Sequence, residues 1–392
     1  MGNITGQKEL SIYIHIPFCV KKCLYCDFLS SPAGEGDYRR YVEALIREIV
    51  QESGNYREYR VDTVYFGGGT PSLLPGKWVE EIMEAVSSHY RLAENCEASL
   101  EANPGTVTWE KLKSYQQAGI NRLSLGAQSL KDGELEALGR IHNSADFFQS
   151  YQMAVEAGFR NLNVDLMLAI PRQSPESWRD TLGQVARLSP PPAHISAYSL
   201  IIEEGTPFHA QRPVLLEEDT ERRMYRETGK FLAKYGYGQY EISNYALPGF
   251  QCRHNLAYWQ RKNYAGFGIG AASLVENVRF RNIPHREGYV KNFLEEGAGI
   301  PIKEEVQRLS RQEQMEEFMF LGLRLTQGVS SKEFFRTFGV EIGQVYPGIV
   351  ENFCQKGLLR VKEGPKGDSQ WIALTEFGVD VSNYVMAEFL LS

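Results

Sequence analysis

The sequence predicts an α/β protein whose N-terminal half is built on a parallel sheet. Two observations carry that prediction. Between residues 10 and 200, six short apolar runs alternate with longer stretches of helical period. Polar residues follow each run, at the position where parallel strands present a functional site. Such alternation requires crossover connections, so the expected architecture is a barrel or an open α/β sheet.

The strands are expected at Ser11–Ile16, Thr63–Phe66, Glu97–Leu100, Arg122–Gly126, Leu162–Leu168 and His194–Leu200, each short and rich in apolar residues. Tyr38–Glu52 reads as a helix because Tyr41, Leu45 and Ile49 recur at i,i+4 on one face. Lys77–His89, Trp109–Ala118, Ser144–Ala157 and Pro175–Leu188 are the next helices. Gly119 and Gly158 close two of them, as glycines at helix C-termini do. Residues 205–300 are less regular. From Ser310 a separate pattern begins. Met315, Phe318, Met319 and Gly322 share a helical face, and helical runs follow at Ser331–Phe338 and Val345–Lys356. A strand pair fits Leu358–Lys362 and Gln370–Leu374, with its turn at 364–367. This is the order of a winged-helix module. It carries 8 Lys and Arg against 11 Asp and Glu, the wrong sign for a DNA-binding face. A packing or partner-docking role is expected instead.

Composition narrows the class. Hydrophobic residues make up 43% of 392, as in an ordinary globule. The net charge of -7 argues against broad binding of nucleic acid or anionic membrane. No segment approaches the ~20 apolar residues of a membrane span, and Met1–Leu10 is too polar for a signal-peptide core. The expected location is the cytoplasm, where clustered thiols indicate metal or redox chemistry.

Such a cluster follows the first strand: Cys19, Cys23 and Cys26, spaced C-x3-C-x2-C. Chance seldom places half of six cysteines in one short loop, so a reading as three buried thiols is weak. A structural zinc ion needs a fourth ligand, which His15 or the distant Cys96 would have to provide. A four-iron, four-sulfur cubane held by three cysteines keeps one iron open to a ligand. Cys96 and Cys354 read as packing residues.

The other strand ends supply ligand-binding candidates. Gly67-Gly68-Gly69-Thr70 follows the second strand, and glycine lets backbone approach a ligand closely. Glu101 and Asn103 follow the third, and Gln128 the fourth. Asp165 lies late in the fifth strand, and Tyr198 and Ser199 late in the sixth. Glu101, Gln128, Arg140 and Asp165 suit the amino, carboxylate and ribose groups of a small molecule. Gly266-Phe-Gly268-Ile-Gly270-Ala271 mimics a dinucleotide fingerprint but lacks the strand and early βαβ context.

These motifs together resemble the radical S-adenosylmethionine (SAM) superfamily. The closer likeness is to oxygen-independent coproporphyrinogen III dehydrogenase and its relatives. It rests on Tyr13-Ile-His-Ile-Pro-Phe-Cys19, Gly67-Gly-Gly-Thr-Pro-Ser72, Gly126-Ala-Gln128-Ser, Gly139-Arg140-Ile-His142 and Asp165-Leu-Met-Leu-Ala-Ile-Pro171. The resemblance implies a partial (β/α)6 radical SAM barrel over 1–205, a barrel-completing segment over 206–309 and a winged-helix-like domain over 310–392. It implies Cys19, Cys23 and Cys26 as [4Fe-4S] ligands. It also implies SAM contacts from Tyr13, Tyr25, Gly68, Gly69, Thr70, Glu101, Gln128, Arg140 and Asp165.

Two departures select the branch. The dehydrogenase carries a fourth cysteine where this chain has Phe28, and it has an N-terminal extension where only 18 residues precede Cys19 here. These differences, with His254-Asn-Leu-Ala-Tyr-Trp259, are similar to the HemW haem chaperones. That likeness implies haem as cargo, haem-accepting apoproteins such as respiratory-chain haem enzymes as partners, and a low-potential donor such as flavodoxin or ferredoxin. The dehydrogenase reaction, radical oxidative decarboxylation of propionate side chains, is the alternative. His254 is the candidate axial ligand of haem iron, with Tyr258 and Trp259 lining the porphyrin and Cys252 as a second candidate. The competing reading makes His254 and Asn255 a buried hydrogen-bonded corner. No C-x-x-C-H occurs, so ordinary c-type attachment is excluded.

Overall fold

The computed structural model describes residues 8–295, 302–364, 367 and 369–391. Residues 1–7, part of the polar N-terminus considered above, lie outside these ranges. So do residues 365 and 366 of the expected turn.

Six βα units open the chain. They are β1 (Lys8–Ile16), α1 (Glu35–Glu52), β2 (Tyr59–Gly68), α2 (Gly76–His89), β3 (Arg91–Ala102), α3 (Trp109–Gln117), β4 (Arg122–Gln128), α4 (Asp132–Ala137), α5 (Ser144–Ala157), β5 (Asn161–Leu168), α6 (Pro175–Ala186) and β6 (His194–Ser199). Strands β1 to β6 pair in sequence order and all in parallel. Helix cover on parallel strands buries both faces. All seven residues of β4 are buried, Arg122 included. Gly158 closes α5 in the left-handed region, where a side chain would be strained.

The next segment is more ordered than its sequence suggests. It holds α7 (Pro207–Gln211), α8 (Glu218–Ala233), β7 (Gly238–Gln239), β8 (Asn244–Ala246), α9 (Arg253–Trp259), β9 (Tyr264–Phe267), β10 (Ala272–Val275), β11 (Val278–Asn282), α10 (Arg286–Leu294) and β12 (Lys303–Arg308). Helix α8 escapes the apolar pattern because it buries only Met224, Thr228 and Leu232, a thin stripe among charged residues. Strand β9 joins β1 in parallel, and β10 to β12 continue outward as an antiparallel meander. At the other side, β8 and β7 extend the sheet antiparallel to β6. The result is one twelve-stranded sheet ending at β12 and β7, so the barrel is incomplete. One apolar core runs through both segments, from Leu10 to Phe293.

A second core, centred on Met319, Phe334, Phe338, Tyr346 and Phe353, belongs to the C-terminal part. Its elements are α11 (Arg311–Gly322), β13 (Val329–Ser330), α12 (Ser331–Phe338), α13 (Ile342–Val345), α14 (Ile349–Gln355), β14 (Leu359–Glu363), β15 (Gln370–Leu374), α15 (Glu376–Asp380) and α16 (Ser382–Ala387). The strands form an antiparallel sheet in the order β13-β15-β14. The single helix expected at Val345–Lys356 is two, broken at Pro347-Gly348. Proline disfavours helical backbone in the residue before it, and Tyr346 is indeed non-helical. Gly348 then takes a positive φ of 73°.

Candidate cluster and ligand site

The C-terminal ends of β2 to β6 and the cysteine loop after β1 enclose a cavity of about 420 Å³. That lies in the usual range for a small-molecule site, ~300–1,000 Å³. Cys19, Cys23, Cys26, Tyr25, Gly68, Gly69, Thr70, Glu101, Gln128, Arg140 and Asp165 all line it. Of the proposed contacts, Tyr13 is not on the wall. Its ring stands behind Gly67, stacked on Tyr65 with centroids 6.3 Å apart, and its hydroxyl meets His15 Nδ1 at 3.1 Å.

A hydrogen-bond chain ties two of the cysteines together. Cys19 Sγ lies 3.5 Å from Thr70 Oγ1, which accepts from Asn103 Nδ2 at 2.8 Å. Asn103 Oδ1 accepts from Arg140 at 2.6 Å, and Arg140 reaches Cys23 Sγ at 3.5 Å. Arg140 also donates to the Gly126 carbonyl at 2.8 Å. Its buried Nε has no hydrogen-bond partner among the described residues. Asn103 was legible on the rim, but its bridging role was not. Burial pushes the Cys26 thiol up to about 11, so a bound metal would have to displace its proton.

On the cavity floor, Tyr65 donates to Glu101 Oε1 at 2.7 Å. Burial raises the Glu101 carboxyl to about 7. Asp165 accepts from Ser124 at 2.9 Å and Asn163 at 2.7 Å. Gln128 sits at a positive φ of 65°, rare for a non-glycine residue. Tyr198 holds its side-chain oxygen at 2.9 Å. The glycine run has a packing cause as well as a ligand-facing side. A Cβ on Gly68 would lie 2.5 Å from the His15 ring, and one on Gly69 would lie 2.5 Å from the Phe18 carbonyl.

The fit to a cluster follows from the donor set. Three thiols share one wall, yet among the described residues no three His, Cys, Asp or Glu side chains stand together as ligands of one ion. Neither proposed fourth zinc ligand is free to complete such a site. His15 Nε2 is bound to the Leu29 carbonyl at 2.8 Å. Cys96 lies at the far end of β3. A cubane binds each thiolate at a different iron and tolerates wider spacing. Phe28, at the position that separates the branches, lines the cavity and is 61% exposed.

His254 lies outside this cavity, on α9 behind β2. It is 1% exposed. Nδ1 meets Thr63 Oγ1 at 2.8 Å, Nε2 meets Tyr258 at 3.1 Å, and the ring stacks on Tyr65. Burial, then Arg122, lowers its pKa to about 3. His254 thus sits in a buried hydrogen-bonded corner, but its partners are Thr63 and Tyr258 and not the expected Asn255, which is only half-buried. One of these two bonds must open before a ring nitrogen can ligate iron. Cys252 is fully buried beside Glu97, and burial raises its thiol to about 12. Trp259 carries Arg324 over its ring at 4.3 Å, so it packs against the C-terminal part. In the Gly266–Ala271 stretch the Gly268 N–H is already engaged, donating to the buried Glu48 at 2.8 Å.

An incomplete parallel barrel with a three-cysteine loop at its mouth defines the radical SAM class. Residues 13–185 match the model of the radical SAM superfamily, and residues 309–364 match the HemN C-terminal domain. The chain belongs to the HemW haem chaperone family within that superfamily. It is 35% identical to "Heme chaperone HemW" of Lactococcus lactis subsp. lactis over 98% of each chain. It is 42% identical to the protein of that name from Escherichia coli, over 67% of this chain and 69% of that one. Its fold is similar to the coproporphyrinogen III oxidase (HemN) structure from Escherichia coli. The TM-score is 0.82 at 22% identity, covering 98% of this chain and 90% of that one. No helix among the described residues is long and apolar enough to cross a membrane.

Proposed function

We propose that this chain binds haem and passes it to haem-accepting apoproteins, with respiratory-chain haem enzymes among the acceptors. Full-length similarity to proteins named as haem chaperones carries this reading. Phe28 supports it against the dehydrogenase alternative, because no cysteine occupies that position.

In this proposal Cys19, Cys23 and Cys26 hold a [4Fe-4S] cluster. SAM lies against Gly68, Gly69 and Thr70, within reach of Tyr25, Glu101, Gln128, Arg140 and Asp165. The cluster supplies an open iron coordination site and one-electron chemistry. The protein's own contribution is positional. Arg140 faces Cys23 with positive charge, and Asn103 and Thr70 fix its geometry relative to Cys19. Glu101 and Asp165 offer acceptors for an ammonium group or ribose hydroxyls. Tyr13, the remaining expected SAM contact, lies off the cavity wall against Tyr65 and His15, and would act by supporting them. A low-potential donor of the flavodoxin or ferredoxin kind supplies electrons, and the setting is cytoplasmic.

For haem, His254 is the proposed axial ligand, reached once α9 opens away from Thr63. Breaking the bond to Thr63 costs about 1–3 kcal/mol for the group left buried and unpaired, so uptake is gated rather than immediate. The test is anaerobic reconstitution, followed by parallel assays of haem binding and of coproporphyrinogen decarboxylation. Haem binding without decarboxylation is expected. Turnover of coproporphyrinogen III would overturn the choice of branch.

A further inference from the structure

One side chain touches both candidate sites. Thr63, Tyr65 and Gly67 share a face of β2, because side chains along a strand alternate with period two. Thr63 meets His254 Nδ1 at 2.8 Å, and the Tyr65 ring stacks on the imidazole with centroids 4.9 Å apart and planes 22° from parallel. The Tyr13 ring completes the group, 6.3 Å from Tyr65 and 6.5 Å from His254. A Cβ at Gly67 would lie 3.0 Å from the Tyr13 and Tyr65 rings and 3.3 Å from Glu101 Oε1, so a glycine there lets these groups close up.

Tyr65 is off the cavity wall, yet its hydroxyl crosses to β3 and donates to Glu101 Oε1 at 2.7 Å. The register sets Tyr65 opposite Ser99, and Glu101 is the next residue on that face of β3. Glu101 itself lines the cavity. The tyrosine therefore joins a ligand-facing carboxylate at one end to the His254 imidazole at the other. A ligand that donates to Glu101 holds the carboxylate, the carboxylate holds the Tyr65 hydroxyl, and the Tyr65 ring holds the imidazole where it is enclosed. The enclosed corner is then favoured over the open one that binds iron. These two arrangements of α9 are the two-state element that coupling between sites requires.

We propose that Tyr65 is a positioning residue that sets the two sites against each other: SAM in the cavity weakens haem binding at His254, and haem at His254 weakens SAM binding in the cavity. The proposal rests on the two readings given above, SAM against Glu101 and haem iron on His254. Reciprocity is a thermodynamic necessity, so both effects must have the same factor. A tyrosine that only fills space would support each site without linking them.

The test uses the reconstituted full-length chain without reductant, so that SAM stays intact. Haem is titrated by Soret absorbance with and without saturating SAM, and SAM binding is measured by equilibrium dialysis with and without haem. In wild type, SAM should raise the haem Kd roughly fivefold or more, and haem should raise the SAM Kd by the same factor. Tyr65→Phe keeps the ring on His254 and removes the bond to Glu101, so each factor should fall to about one. A haem Kd in wild type that is the same with and without bound SAM would overturn the proposal, and so would a Tyr65→Phe chain that keeps the full factor. The readings beneath it fail separately. A wild-type chain that binds no SAM removes the cavity reading, and a His254→Ala chain with unchanged haem affinity and Soret band removes the haem reading. Either result takes the proposal with it.

Discussion

The cysteine loop and the His254 corner hold the same kinds of residue, yet the structure treats them in opposite ways. At the loop, the thiols are half-buried and face a cavity, and their recorded side-chain partners stand 3.5 Å away. At the corner, the imidazole is enclosed and both ring nitrogens are engaged at ordinary hydrogen-bond distance. A sequence shows which donors exist. It does not show which of them the fold has already used. The loop's thiols already face a cavity, whereas the corner's imidazole is enclosed and engaged.

The largest effect expected from this contrast is at the loop. Replacing Cys19, Cys23 or Cys26 by Ala should abolish cluster assembly, while the helical circular dichroism stays intact. Iron and acid-labile sulfide analysis checks it. A triple variant with full iron and sulfide would remove the distinction.

The corner should respond in two directions. His254→Ala leaves the Thr63 and Tyr258 hydroxyls unpaired and should cost about 2–4 kcal/mol of stability. It should weaken haem binding and change the Soret band, with the cluster retained. Thr63→Val frees Nδ1 in advance, so haem affinity should rise several-fold, as it does when a binding-competent state is more populated. Unchanged affinity in both variants would make His254 a packing residue only.

A smaller effect comes from Glu48, buried under the Gly268 loop and held by Asn282, Tyr289 and the Gly268 N–H. Burial raises its carboxyl from the ordinary 4.5 to about 7. The folded state therefore favours the protonated form. Its contribution is full below pH 4.5 and is lost as pH rises to about 7, by at most ~3 kcal/mol. Glu48→Gln should flatten the slope of melting temperature between pH 5 and 8, whatever its absolute stability. An unchanged slope would show that this carboxyl does not titrate in that window.

Much of the site was legible because strand ends in a parallel sheet are chemically conspicuous. The cysteine spacing, the glycine run, Glu101, Gln128, Arg140 and Asp165 meet at one cavity. What escaped was fixed by tertiary contact. Tyr13 does not line the cavity: its ring stacks on Tyr65 and its hydroxyl meets His15. Asn103 needed the fold to show that it spans Thr70 and Arg140. Gly68 and Gly69 reflect His15 and Phe18 as much as any ligand. In the fold, α1 was plain from Tyr41, Leu45 and Ile49, whereas α8 was hidden by its narrow apolar stripe. The β9–β12 meander was hidden by strands of four to six residues.

The most direct test of the chaperone reading offers one reconstituted preparation two tetrapyrroles. With haem and a haem-free acceptor enzyme, the acceptor's activity should be restored through the loaded chain. With coproporphyrinogen III, SAM and a low-potential reductant, no protoporphyrinogen IX should form. Protoporphyrinogen formation without haem transfer would contradict the account.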